Sequence, residues 1–131
     1  MSMAVLAPSR PELTAHREAV TLPFPALVKG LVDIIGKKLT AYVGSVKDVR
    51  AVERWIDGSE PYRGAVERLR LAYVVARMIS DSESNRVAQS WLTGVNPELG
   101  DKVPLRMIRE GEPDTIAAQV LGAARAFLAG G

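Results

Sequence analysis

The 131-residue chain contains no cysteine and a single histidine, His16. Without cysteine no disulfide or thiolate site can form, so the fold must be held by packing alone. One histidine excludes a catalytic or metal-binding histidine cluster built within this chain. A glycine-rich phosphate loop is also missing, and no pair of carboxylates stands in an apolar setting. These absences predict a protein that is not an enzyme and that uses no cofactor or metal.

Long apolar runs are absent as well. No stretch approaches the roughly 18 consecutive apolar residues that a membrane-spanning helix needs. The first ten residues, MSMAVLAPSR, lack the basic start of a secretion signal. We therefore expect a cytoplasmic protein with no membrane partner.

The net charge of +2 is small, but its distribution is uneven. Residues 37–77 carry nine basic and five acidic side chains, whereas residues 81–131 carry five basic and seven acidic ones. A basic middle and an acidic end predict two surfaces with different partners. The alternative is ordinary scatter of surface charge.

Four prolines lie in the first 25 residues. Because proline interrupts regular structure, this composition predicts a flexible arm over residues 1–25, with at most a short helix at 12–20. In such an arm, His16 would be a solvated side chain.

From Ala26 onward apolar residues recur with helical spacing, and no stretch alternates with the period of a β-strand. The stretch 63–80 is apolar around most of its circumference, which predicts the central helix of the core. The predicted fold class is all-α, with one domain at 26–80 and a second at 81–131. Helices are expected at 26–35, 39–44, 46–57, 63–80, 84–94, 104–110 and from 113 to the final glycines.

The sequence GSVKDVRAVERWIDG, residues 44–58, predicts a helix with two distinct faces. Ser45 is expected to cap it, with Asp48 reaching back to the cap. Its apolar side, which includes Trp55, should pack inward, and its basic side should face outward. Arginine pairs with guanine and lysine contacts guanine or phosphate, so this face is typical of a helix that reads the major groove. The predicted DNA contacts are Lys47, Arg50 and Arg54 on this helix, with Lys37, Lys38 and Arg63 as phosphate clamps.

Two observations favour other interpretations of the same helix. Glu53 and Asp57 dilute its positive charge, as on many ordinary surface helices. Ala41 and Gly44 are three positions apart, which suggests an irregular turn for a helix-turn-helix unit. A helix-turn-helix that no longer touches DNA and serves as a protein-binding adaptor therefore remains an alternative.

The second half of the chain carries an ordered series of small motifs: Trp91–Leu92, Asn96–Pro97, Leu99–Gly100, Pro104–Leu105 and Gly111. By themselves these residues are core anchors and turn residues of a compact helical module. In this order they resemble the C-terminal toxin-binding region of the Xre/MbcA/ParS antitoxin family, and VERWIDG with RLRLAYVVARMI resembles the helix-turn-helix part of that family. The resemblance covers roughly residues 26–131.

This resemblance implies an Xre-like helix-turn-helix bundle followed by a small C-terminal helical module for toxin binding and dimerisation. It also implies an antitoxin of a type II toxin–antitoxin system that binds a RES-type, NAD-degrading toxin and represses its own promoter. The partners would be the toxin, operator DNA and a second copy of the chain in a homodimer. The implied toxin contacts are Asn96, Glu98, Asp101, Lys102, Arg106, Arg109, Arg125 and Gly131. The alternative function is a stand-alone DNA-binding repressor, of phage or plasmid type, with no toxin partner.

Overall fold

The computed structural model describes residues 9–130 of the chain. Within that range the backbone forms helices and loops, with one isolated β-bridge between Asn96 and Lys102 and no strand. The predicted all-α fold class is confirmed. The α-helices of this range are α1 (Arg10–Thr21), α2 (Phe24–Ile35), α3 (Lys37–Val43), α4 (Val49–Ile56), α5 (Arg63–Ser82), α6 (Asn85–Thr93), α7 (Pro104–Glu110) and α8 (Pro113–Leu128), and a 3₁₀ turn lies at Pro97–Leu99.

The prediction of a flexible arm is wrong over residues 10–25, while residues 1–8 lie outside the described range. Helix α1 begins at Arg10, where the hydroxyl of Ser9 accepts a hydrogen bond from the backbone N–H of Glu12 at 3.2 Å. Proline in the first turn lacks only an N–H that has no helical partner there, so Pro11 does not oppose the helix. The small buried residues Ala15 and Ala19 let α1 pack closely along α5.

Helix α5 is the centre of the molecule, as its sequence predicts. It packs against α1, α2, α3, α6, α7 and α8. Its buried side chains include Leu69, Met78 and Ile79, none of which is exposed to solvent. Burial of such apolar side chains is the main driving force for the fold.

The buried side chains form one continuous cluster that extends from Ala15 in α1 to Ala124 in α8. The cluster crosses the predicted domain boundary at residue 80, since α5 continues to Ser82 and then carries α6, α7 and α8 on its surface. The two predicted domains therefore share a core. No helix in residues 9–130 has the length and apolar character to cross a bilayer.

Candidate functional site

The turn between α3 and α4 places the basic segment predicted to bind DNA. Gly44 lies against the indole of Trp55, and a Cβ at this position would come within 2.4 Å of the ring. Ser45 then adopts the left-handed conformation, with φ of 59°. The prediction that Ser45 caps α4 is wrong. Asp48 is the cap, and its carboxylate accepts a hydrogen bond from the backbone N–H of Arg50 at 2.9 Å.

Helix α4 has the two faces that its sequence predicts. Ala51, Val52 and Trp55 are buried against α2 and α3, and the Trp55 ring meets that of Phe24 edge-on at 6.5 Å between centroids. Arg50 and Arg54 are exposed on the opposite face. Lys47 precedes the first helical residue, so the prediction that it lies on this helix is wrong.

Two of the predicted DNA contacts are held by carboxylates on the same surface. The guanidinium of Arg50 donates to Asp48 at 2.7 and 2.9 Å, and these hydrogen bonds hold the pKa of the Asp48 carboxyl below its ordinary value. The ammonium of Lys37 donates to Glu53 at 2.8 Å. All four side chains are well exposed. Exposed ion pairs of this kind contribute little to stability and are screened by salt, so a phosphate can displace the carboxylates.

A cationic groove of about 690 Å³ lies between the α3–α4 turn and α7. Two of the predicted DNA contacts line it, Lys38 from α3 and Lys47 from the turn. Arg109 of α7, which the family resemblance assigns to the toxin, lines it as well, with its guanidinium 4.4 Å from the centre of the Tyr42 ring. Arg63 stands apart from this groove, at the start of α5, and is 3.9 Å from Glu67 of the same helix.

The loop that follows α6 is shaped by Asn96. Its side-chain oxygen accepts a hydrogen bond from the N–H of Glu98 at 2.9 Å, and its backbone N–H donates to Lys102 at 2.9 Å. Gly100 and Asp101 both have positive φ, of 64° and 63°, which closes the loop over the buried Leu99. Asn96 is only 9% exposed. Asn96 therefore holds the loop, and its implied role as a toxin contact stays a prediction.

A second groove, of about 610 Å³, runs along α7 and the start of α8. Its rim carries three of the implied toxin contacts, and Glu110 of the same rim pairs with Arg106 at 3.1 Å. Its floor is apolar. Gly111 permits the close turn between the two helices, because a Cβ there would lie 2.8 Å from Ile116. The rim residues are Asp101, Lys102, Arg106 and Glu110, and the floor residues include Val103, Met107 and Ile116.

Arg125 is not available at this groove. Its guanidinium makes hydrogen bonds of 2.7 to 3.1 Å to both carboxylate oxygens of Glu12, whose side chain is fully buried. Burial alone would raise the pKa of Glu12, but Arg125 and His16 outweigh it and hold the pKa below its ordinary value. Arg125 therefore joins α8 to α1, and its implied role as a toxin contact stays a prediction. Gly131 lies outside the described residues.

The sequence gives no functional signal for the floor of the second groove or for the Tyr42 ring beneath Arg109. Met107 and Ile116 carry the helical spacing of core residues, and Tyr42 lies in a short helix with no motif around it. Their position beside charged side chains arises only when α7 packs on α3 and α8.

Searches of protein-family models, curated proteins and solved structures found no match to this chain.

Proposed function

We propose that this chain is an antitoxin of a type II toxin–antitoxin system. In this proposal the α7–α8 groove binds a RES-type, NAD-degrading toxin and inhibits it by occlusion. The α3–α4 unit binds the operator of its own promoter, in the cytoplasm and as a homodimer. The toxin supplies the chemistry, and the antitoxin itself is not an enzyme.

The observation that carries the proposal is the arrangement around the α7–α8 groove. Three residues implied by the family resemblance, Asp101, Lys102 and Arg106, come together on one rim above an apolar floor. A charged rim around an apolar centre is the usual composition of a protein–protein interface. The rim carries two acidic and two basic side chains, which favours a specific partner over a general polyanion.

The second half of the proposal rests on the exposed face of α4. Arg50 and Arg54 project from a short helix whose other face is buried, and the neighbouring Lys38 and Lys47 carry no ion pair within residues 9–130. The carboxylates of Asp48 and Glu53 favour the adaptor alternative, in which this face binds no DNA. The ion pairs of Asp48 and Glu53 are exposed, so phosphate groups of DNA can displace these carboxylates. Operator binding is therefore better supported than the adaptor alternative.

Co-expression with the product of the neighbouring reading frame tests the antitoxin function. We expect that product alone to deplete cellular NAD and stop growth, and this chain to restore both and to be retained on the product in a pull-down. A neighbouring product that is neither toxic nor retained would contradict the proposal.

The role of the groove is tested by reversing two exposed charges on its rim, in the double variant Lys102→Glu and Arg106→Glu. We expect toxin affinity to fall at least about tenfold, because like charges then face the toxin's complementary surface. The matched control, Arg17→Glu, reverses an exposed charge on α1 and should bind as the unmodified chain does. Equal toxin affinity of all three proteins would show that the groove is not part of the toxin interface.

A stand-alone repressor is the second candidate, because the basic surface of α3 and α4 does not depend on the α7–α8 groove. It predicts specific binding to the upstream region, with an affinity that falls steeply with salt, and no toxic product of the neighbouring gene.

Light scattering on the free protein and on its DNA complex tests the homodimer that both candidate functions include. Two half-sites call for two copies of the chain.

A further inference from the structure

Three cations converge on the groove between the α3–α4 turn and α7, and they come from three separate segments. Lys38 belongs to α3, Lys47 to the turn and Arg109 to α7. The acidic side chain in the groove lining is Asp48, which is already paired with Arg50 at 2.7 Å. The groove is thus positively charged, and its lining reaches the start of α4 at Asp48 and Val49.

Arg109 is held in place by an aromatic ring. Its guanidinium stacks 4.4 Å from the centre of Tyr42, and the side chain is half-buried. An attraction between a cation and a ring face fixes the guanidinium without using its N–H donors. Within residues 9–130 the Arg109 side chain has no ion pair and no hydrogen bond, so the donors are left for a ligand.

We propose that this groove holds the phosphate backbone of DNA beside the segment bound by α4, with Arg109 as a phosphate contact. The inference rests on the proposed DNA binding of the α3–α4 unit and extends it to α7. A phosphate backbone fits because it brings several negative charges to an open groove with three cations. Arginine and lysine side chains are the usual donors to such phosphates.

The consequence is that α7 serves both proposed surfaces. Arg106 lines the α7–α8 groove, and Arg109, three residues on, lines the cationic groove. Arg109 then belongs to the DNA surface and not to the toxin surface. The DNA surface includes a residue from the second half of the chain, which a helix-turn-helix unit ending at residue 80 would not contain.

Fluorescence anisotropy of the full chain with a labelled duplex from its own upstream region, over a series of KCl concentrations, tests the proposal. We expect Arg109→Ala to lower the slope of log affinity against log salt by about 0.9, the value for one lost phosphate contact. Binding should weaken equally on all duplex sequences. Arg109→Lys keeps the charge and should keep the slope. Arg17→Ala removes an exposed cation on α1 that lines neither groove, so it is the matched control and should leave the slope unchanged. Thermal unfolding of each variant confirms that it is folded.

The outcomes separate this inference from the function on which it rests. Absence of binding by the unmodified chain would overturn both. Binding by that chain with an unchanged slope in Arg109→Ala would overturn the inference and leave the α4 interface standing. An equal loss of slope in Arg17→Ala would also overturn it, and so would a loss confined to particular base pairs, because neither is the signature of a phosphate held by Arg109.

Discussion

At the scale of single residues, the Glu12 carboxylate is the most deeply buried charge among the ion pairs of residues 9–130. It is held from one side by Arg125 of α8 and from its own helix by His16, whose Nε2 lies 3.2 Å away. A carboxylate so placed is tolerated only while its partners remain, because water cannot replace them. The pair therefore makes the position of α1 depend on the last helix.

We expect Arg125→Ala to lower the free energy of unfolding by about 2–3 kcal/mol at neutral pH, since it leaves Glu12 buried without its main partner. The loss of one partner of a fully buried pair costs about 3–5 kcal/mol, and the partial exposure of Arg125 reduces that range. Urea unfolding of Arg125→Ala and of the unmodified chain measures this change in the free energy of unfolding. The double variant Glu12→Gln and Arg125→Ala should recover part of the loss, and additive losses would show that the two side chains are not coupled.

The same pair predicts how stability depends on pH. Because the folded pKa of Glu12 is lowered from 4.5, the unfolded chain takes up its proton first as pH falls. The contribution of the ionised carboxylate is fully present above about pH 4.5 and is lost as the pH drops below that value. Urea unfolding should therefore show that the unmodified chain has a higher free energy of unfolding than Glu12→Gln at neutral pH. This difference should shrink as the pH falls below about 4.5. A constant difference would contradict the ion pair.

At the scale of helices, periodicity predicts α2 through α8 because each buries an apolar stripe on the same core. Helix α1 is predicted only as a short helix at 12–20 in a flexible arm, because the prolines around it are taken to interrupt the chain, whereas those at 104 and 113 are accepted as helix starts. In this fold Pro11, Pro25, Pro104 and Pro113 all lie in first turns, where the missing N–H costs nothing. For α1 the available signal was Ser9, whose hydroxyl caps the helix just before Pro11.

The start of α4 shows a second limit. Ser45 and Asp48 have the spacing of a capping box, so local sequence favours a helix that begins two or three residues earlier. The indole of Trp55 packs on Gly44 and fixes the turn there, which leaves Ser45 in the left-handed region and Asp48 as the cap. Tertiary packing thus decides a helix start that local pattern leaves ambiguous.

Two glycines give a matched test of this packing. Gly44→Ala should lower the free energy of unfolding by about 1–3 kcal/mol, because its Cβ would overlap the Trp55 ring. Gly122→Ala, in the middle of α8 with open space around the new methyl group, should raise it by about 0.5–1 kcal/mol. Chemical unfolding of both variants checks the signs. A neutral Gly44→Ala would mean that the turn does not depend on Trp55.

At the scale of the whole molecule, the candidate surfaces depend on contacts between distant segments. The sequence identifies the basic α4 face and the charged residues of 101–106, since those lie close together along the chain. It does not place Arg109 over Tyr42, nor Arg125 on Glu12, which is 113 positions away. Those pairings follow from the packing of α7 on α3 and of α1 on the shared core, and periodicity carries no information on either.

The shared core predicts that α1 is part of the folding unit. A chain that starts at Pro23 exposes the face of α5 covered by α1. It also leaves Tyr73 and Arg125 without the carboxylates that hold them, and leaves Arg77 with Asp81 as its remaining partner. We expect it to lose cooperative thermal unfolding, measured by circular dichroism, because burial and pairing are lost together. A flexible arm would instead be dispensable, so a sharp transition near that of the full chain would contradict the packing of α1. The matched control keeps α1 and changes only its outward side, by replacing Leu13 and Val20, which are 53% and 78% exposed, with serine. That control should unfold as cooperatively as the full chain does. A loss of cooperative unfolding in the truncated chain would then be due to the missing buried face of α1.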